Sequence, residues 1–232
     1  MDTDWSDPAH WPEEGRFALR GGVDALDGIS AENWLAALQQ VQQLAREHGS
    51  LLIIDDIQAS VGRTGSYFSF ENLGIEPDLI CMAKGIGGYG TPMGVLLIKP
   101  ELDVWQPGEH TGTFRGQNLS FVAGAAALDY FENDEFLTEV QRKGALTEER
   151  LVAMIERANV DIELRGCGMM HGLDMGSGEQ AAAVVASAFE HNLIIPTCGP
   201  NGRVVKVMPP LTIEDEVLEE GLERLGKAIL SL

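Results

Sequence analysis

Between residues 30 and 48 the apolar positions Trp34, Leu35, Leu38, Val41 and Leu44 recur at helical spacing. Ser30 stands where an N-cap belongs and Gly49 where a helix stops, so the pattern predicts a helix over this stretch. The period then changes. Residues 51–55, LLIID, form an unbroken apolar run ending in carboxylates, as expected of a strand buried on both faces of a parallel sheet. Two further runs follow: DLICMA at 78–83, which ends at Lys84, and MGVLLIK at 93–99. Helical periodicity returns from Asn118 to Phe131 and over 136–158, as one long amphipathic helix or a pair. Short glycine-bearing strands are predicted in VDIELRGCGMMHGLDM, then a helix at 178–191, a strand at VVKVMPP and a last helix from Ile213 to Leu230.

Strands alternating with helices make this an α/β chain. The second half reads as a smaller α+β domain, with the boundary near residue 134. The divisions are an acidic leader over 1–20, part of a large domain over 21–134 and a small domain over 135–232. In open α/β sheets ligands sit beyond the carboxyl ends of the strands. Asp55 and Lys84 both occupy such ends, so they are the first candidates for chemistry.

Composition narrows the classes. The 232 residues are 44% hydrophobic and 22% charged, which suits a folded globular chain. The formal net charge of −20 argues against nucleic acid or anionic membranes as partners. The first sixteen residues, MDTDWSDPAHWPEEGR, have neither a basic n-region nor an apolar h-region, so a cytoplasmic location is expected. Cys81, Cys167 and Cys198 are far apart and form no CxxC pair, and the five histidines show no ligand spacing; no metal is expected.

Lys84 opens a glycine loop, KGIGGYG, after an almost wholly apolar approach. From the residues alone two readings stand. The ammonium reaches water from a loop, or it is an amine kept partly desolvated, with a lowered pKa, that attacks a carbonyl to form a Schiff base.

Three strings bear on that choice: DDIQASVGRTGSYFSFE from Asp55, GYGTPMGVLLIKPELDVWQPGEHTGTFRGQNLSFV from Gly88, and PPLTI from Pro209. Together they resemble the class III (ornithine and ω-amino acid type) aminotransferases, with the look of the diaminobutyrate–2-oxoglutarate branch. The resemblance runs from about Ala31 to the end. It implies the type I fold of pyridoxal phosphate enzymes, here the C-terminal half of the large domain plus the small domain. It implies pyridoxal 5'-phosphate as cofactor and transamination as the reaction. Lys84 matches the lysine that carries the cofactor and moves the proton. Asp55 matches the carboxylate beside the ring nitrogen, and Gln58 the residue bonded to the ring hydroxyl. Thr113 matches a threonine that reaches the cofactor phosphate of a neighbouring subunit. Lys206 stands where most of the family has an arginine for the substrate carboxylate; a lysine cannot form the bidentate clamp. Asp56 and Arg165 fall at positions of structural character.

The resemblance also has gaps. The family's N-terminal half, with its phosphate loop and stacking aromatic, has no counterpart here. In RGGVDALDGIS, Gly21 and Leu26 stand in place of two family glutamates. The expectation is therefore a split enzyme, active with a second chain that supplies the missing half, in a two-fold oligomer acting on a small amino acid. The leader, with Trp5, Trp11 and Phe17, is a candidate docking arm. Another pyridoxal phosphate reaction on the same scaffold, or a non-catalytic stabilising paralogue, are the alternatives.

Overall fold

The computed structural model describes residues 18–19, 31–88 and 90–232. Ser30, the leader up to Phe17 and the stretch with Gly21 and Leu26 lie outside them. The described chain contains two four-stranded sheets.

The first sheet is built from β1 (Ala18–Leu19), β2 (Ile53–Asp55), β3 (Leu79–Met82) and β4 (Val95–Ile98), in that spatial order. Helix α1 (Ala31–Glu47) feeds β2. Gly49 closes the helix at φ +65: its N–H reaches the Arg46 carbonyl at 3.3 Å, and the Ser50 N–H reaches that of Ala45 at 2.8 Å. That pair of bonds is the Schellman stop, which a left-handed glycine makes at no steric cost. β2 pairs in parallel with β1 and β3, with Asp55 opposite Cys81. Ala18 and Leu19, counted in the leader by the sequence reading, are thus a strand.

β4 differs from a purely parallel sheet. It runs antiparallel to β3, Met82 facing Val95 and Leu79 facing Ile98. Residues 83–94 hold only a short 3-10 turn and no α-helix, and without a crossover a strand must return antiparallel. The expected burial on both faces is also incomplete among the described residues. β2 is half-buried throughout, and Leu96 and Leu97 of β4 are exposed.

Helix α2 (Asn118–Leu128) follows a long exposed loop. It lies against the glycine loop at backbone contact. A Cβ on Gly88 would meet the Ala123 carbonyl oxygen at 2.5 Å, and one on Gly124 would meet that of Ile86 at 2.7 Å. These two positions require glycine, because the neighbour is backbone and cannot yield.

The second sheet, β5 (Glu163–Cys167), β6 (Met170–Asp174), β8 (Val204–Val207) and β7 (Thr197–Cys198), is antiparallel throughout. The stretch over 136–158 forms one helix, α3 (Glu135–Ile155), not two. With α4 (Gly178–Glu190) and α5 (Asp215–Leu230) it covers one face of the sheet. Ser177 caps α4, accepting the Gln180 N–H at 3.2 Å. In α5, Leu218, Leu222, Leu225 and Ile229 fall on one stripe and are fully buried against Leu151, Leu173 and Val205. Acidic Asp215 and Glu216 in its first turn and Lys227 in its last agree with the helix dipole.

The two sheets meet through the turn after β2. Arg63 donates from Nη1 to the carbonyls of Met169 and Pro209, at 3.1 and 2.5 Å, and its own carbonyl accepts the Met169 N–H at 2.9 Å. Gln141 on α3 donates to the Gly65 carbonyl at 2.7 Å.

Candidate active site

Parallel pairing of β2 with β3 decides where the chemistry lies. Asp55 is the last residue of β2 and faces Cys81 on β3; Lys84 follows three residues later. A carboxylate and an amine therefore stand at the carboxyl ends of neighbouring strands. Gln58 lies in the turn directly after Asp55 and is half-buried.

The twin aspartates have opposite surroundings, because successive side chains on a strand point to opposite faces. Asp55 is half-buried, and its Oδ1 accepts a single long bond, 3.3 Å, from the Ile57 N–H. Most of its acceptor capacity is open. Asp56 is fully buried. Its Oδ2 accepts the Ser69 N–H at 3.1 Å and its N–H donates to the Cys81 carbonyl at 2.9 Å, while Oδ1 has no protein partner. Burial pushes the Asp56 carboxyl above the usual carboxylate range, against the opposing Ser69 hydrogen bond, and the nearby Asp55 charge adds to the rise. Asp56 ties β2, β3 and the 66–70 segment together; Asp55 faces the site. The neighbouring Cys81 thiol is likewise pushed up by burial and by the Asp55 charge.

Lys84 has φ +52, in the left-handed region, and starts the 3-10 turn Lys84–Gly87. Its side chain is exposed, so the desolvation expected of a nucleophilic amine is not supplied by the described residues. The amine makes no salt bridge with them. Thr113 lies in the loop before α2, where residues 103–119 are all exposed, Phe114 completely so. Lys206 is on β8 of the other sheet, opposite Gly172. It alternates with Val205 and Val207, which face the helix-covered core, so it projects from the other side of the sheet. Asp55, Gln58 and Lys84 are thus brought to one end of one sheet; Thr113 and Lys206 share no hydrogen bond or ion pair with them. Arg165 pairs with Glu163 at 2.6 Å and Asp174 at 3.2 Å, which is a structural role. No cluster of His, Cys, Asp and Glu suited to a metal occurs among the described residues.

The sequence profile of the class-III aminotransferases matches residues 28–229, nearly the whole chain. The chain belongs to the class III aminotransferases. Among its relatives, the diaminobutyrate–2-oxoglutarate transaminase of Halalkalibacterium halodurans is 45% identical over 213 residues, covering 91% of this chain and 48% of that protein. The enzyme of the same name from Halomonas elongata is 47% identical over 209 residues, covering 88% and 48%. Among solved structures, N-acetylornithine aminotransferase from Stenotrophomonas maltophilia superposes with a TM-score of 0.72 at 31% identity, over 84% of this chain and 50% of that one. A phospholyase from Arthrobacter, in complex with phosphoethanolamine, gives 0.76 at 28% identity, over 84% and 49%. The fold is therefore the type I fold of these pyridoxal phosphate-dependent enzymes, and the chain spans about half the length of the relatives it matches.

The residues present fit that cofactor. Asp55 offers open carboxylate capacity for a protonated ring nitrogen, and among the described residues Gln58 offers an amide without a partner for a ring oxygen and Lys84 an unpaired amine for an aldehyde. Sequence reasoning missed Arg63, whose partners lie 106 and 146 residues away. Its only local signal was a lone arginine between glycines in GRTG.

Proposed function

We propose that this chain is the lysine-bearing half of a split pyridoxal phosphate-dependent aminotransferase acting on an amino acid such as a diamino acid. The observation that carries the reading is the placement of Asp55 and Lys84 at the carboxyl ends of adjacent parallel strands. The cofactor supplies an aldehyde and an electron-withdrawing ring. Asp55 would hold a proton on the ring nitrogen, since a carboxylate beside it favours the charged form. Gln58 would hold the ring through its oxygen. Lys84 Nζ would hold the cofactor through its aldehyde and would take and return the proton at the substrate carbon. Lys206 attracts the substrate carboxylate as a point charge rather than a fork.

A second chain completes the site by supplying the family's N-terminal half. The exposed leucines of β4 and the exposed apolar residues of α2, Leu119 and Val122 among them, support such a partner. The assembly is a two-fold pairing of these heterodimers, Thr113 reaching the cofactor phosphate of the neighbouring copy. All three cysteines are free thiols, in keeping with the cytoplasm. The similarity to a phospholyase favours one alternative, an elimination on the same scaffold.

Borohydride reduction of the assembled protein, followed by peptide mass spectrometry, is expected to place a pyridoxyl group on Lys84. A label on another lysine, or none in the complex, overturns the reading. Light scattering addresses the assembly. A lone chain that is soluble, fully active and loaded with one cofactor per chain refutes the split.

A further inference from the structure

The turn after Gln58 touches both the small domain and the backbone beside Lys84. On the first side, Arg63 binds the carbonyls of Met169, in the β5–β6 hairpin turn, and of Pro209, just beyond β8. Gly65 is held by Gln141 of α3. Gly168, at φ +59, packs so closely that a Cβ there would lie 2.6 Å from the Thr64 carbonyl carbon. Three separate segments of the small domain thus grip four consecutive residues, 62–65, with Gly62 facing Leu211 and Leu137. Burial lowers the Arg63 guanidinium to about 10.

On the second side, Val61 is buried with Met82 and Ile86, which bracket Lys84. A Cβ on Gly85 would lie 3.3 Å from Val61 Cβ. Val61 has φ +56, and its N–H is fixed on the Tyr67 carbonyl at 2.7 Å. A β-branched residue in the left-handed region is strained, and persists only where its surroundings over-determine it. Lys84 carries the same kind of backbone. A strained residue, Val61, is therefore packed on the residues that flank the strained Lys84, and it is anchored through Arg63 to the small domain.

We propose that the Val61–Gly65 turn is a positioning element that couples the small domain to Lys84: Arg63 holds the small domain, Val61 holds the backbone beside Lys84, and the placement of one sets the presentation of the other. Its meaning for catalysis rests on Lys84 being the reactive amine; its existence does not.

The test uses the full chain, with no cofactor. Competitive acetylation by acetic anhydride at low conversion reads Lys84 against the exposed Lys227, and hydrogen exchange reads the Met169 amide, which Arg63 protects. In Arg63→Ala the Met169 amide is expected to exchange roughly tenfold faster. The Lys84:Lys227 ratio is expected to change by about threefold or more as the strain at Val61 is released. In Val61→Gly the ratio should change to a similar degree while Met169 stays protected. In Val61→Gly a merely structural role would move both readouts together or neither. Arg63→Lys, which keeps a donor, should restore much of the wild-type ratio. An unchanged Lys84 ratio in Arg63→Ala with Met169 released overturns the coupling. If Arg63→Ala does not fold, an unchanged ratio in Val61→Gly does so. Failure of cofactor capture at Lys84 would count against the proposed function and leave this result standing.

Discussion

His171 offers a measurable link between protonation and folding. The ring is 1% exposed, on β6 at the hairpin that meets Arg63, and Nε2–H donates to the Gly168 carbonyl at 2.8 Å. Burial pushes its pKa below the ordinary 6.5, outweighing the carbonyls of Gly168 and Gly144 and the charge of Glu148, which favour the protonated ring. The folded state therefore binds this proton less readily than the unfolded chain. Stability from the neutral ring is complete above pH 6.5 and is lost as pH falls below it. One proton sets the limit: at pH 5.5 the loss is at most about 1.4 kcal/mol. For a chain of this size that corresponds to about 3–6 °C in Tm. Many carboxylates also gain protons in this range, so the wild type must be compared with His171→Gln, whose amide can keep the bond to Gly168 without titrating. Scanning calorimetry between pH 7.5 and 5.5 should show the wild-type melt falling relative to the variant. Parallel pH profiles would show that His171 is not a buried neutral ring.

Other substitutions test the site and the packing. Asp55→Asn in the assembled enzyme should keep bound cofactor, read by absorbance, yet slow turnover by roughly 100-fold or more, the scale for a preorganised electrostatic group; near-normal turnover would remove Asp55 from the ring nitrogen. Gly88→Ala places a methyl on the Ala123 carbonyl and should lower stability in urea by about 1–3 kcal/mol. Leu151→Ala empties a fully buried position in the small-domain core and should cost about 2–5 kcal/mol by the same assay.

Much of this architecture was legible because the relevant signals are local. The last helix, expected from Ile213 to Leu230, runs from Asp215 to Leu230, and Gly49 marked the end of α1. The apolar runs ending at Asp55 and Lys84 put both at strand ends before any coordinates. What stayed hidden was set by partners distant in sequence. The direction of β4 follows from a missing crossover, which apolar content cannot report. β7 has two residues, too few for any period. The left-handed backbone of Val61 and Lys84 contradicts their intrinsic preferences, and tertiary contacts impose it. Arg63 drew no prediction because its carbonyl partners lie beside the other sheet, far along the chain.

The buried apolar residues are unevenly shared. Among the described residues, those between Val140 and Ile229 form one continuous core around the second sheet, whereas the first sheet has two small clusters, around Leu38 and around Met82. Cooperativity follows burial, so the C-terminal part constitutes a folding unit of its own, assembled largely from neighbours close in sequence. On that division the first sheet would acquire its order late, by docking against that unit through α3 and the hairpin. In a cell this sequence of events would leave the strand ends bearing Asp55 and Lys84 among the last parts to become rigid.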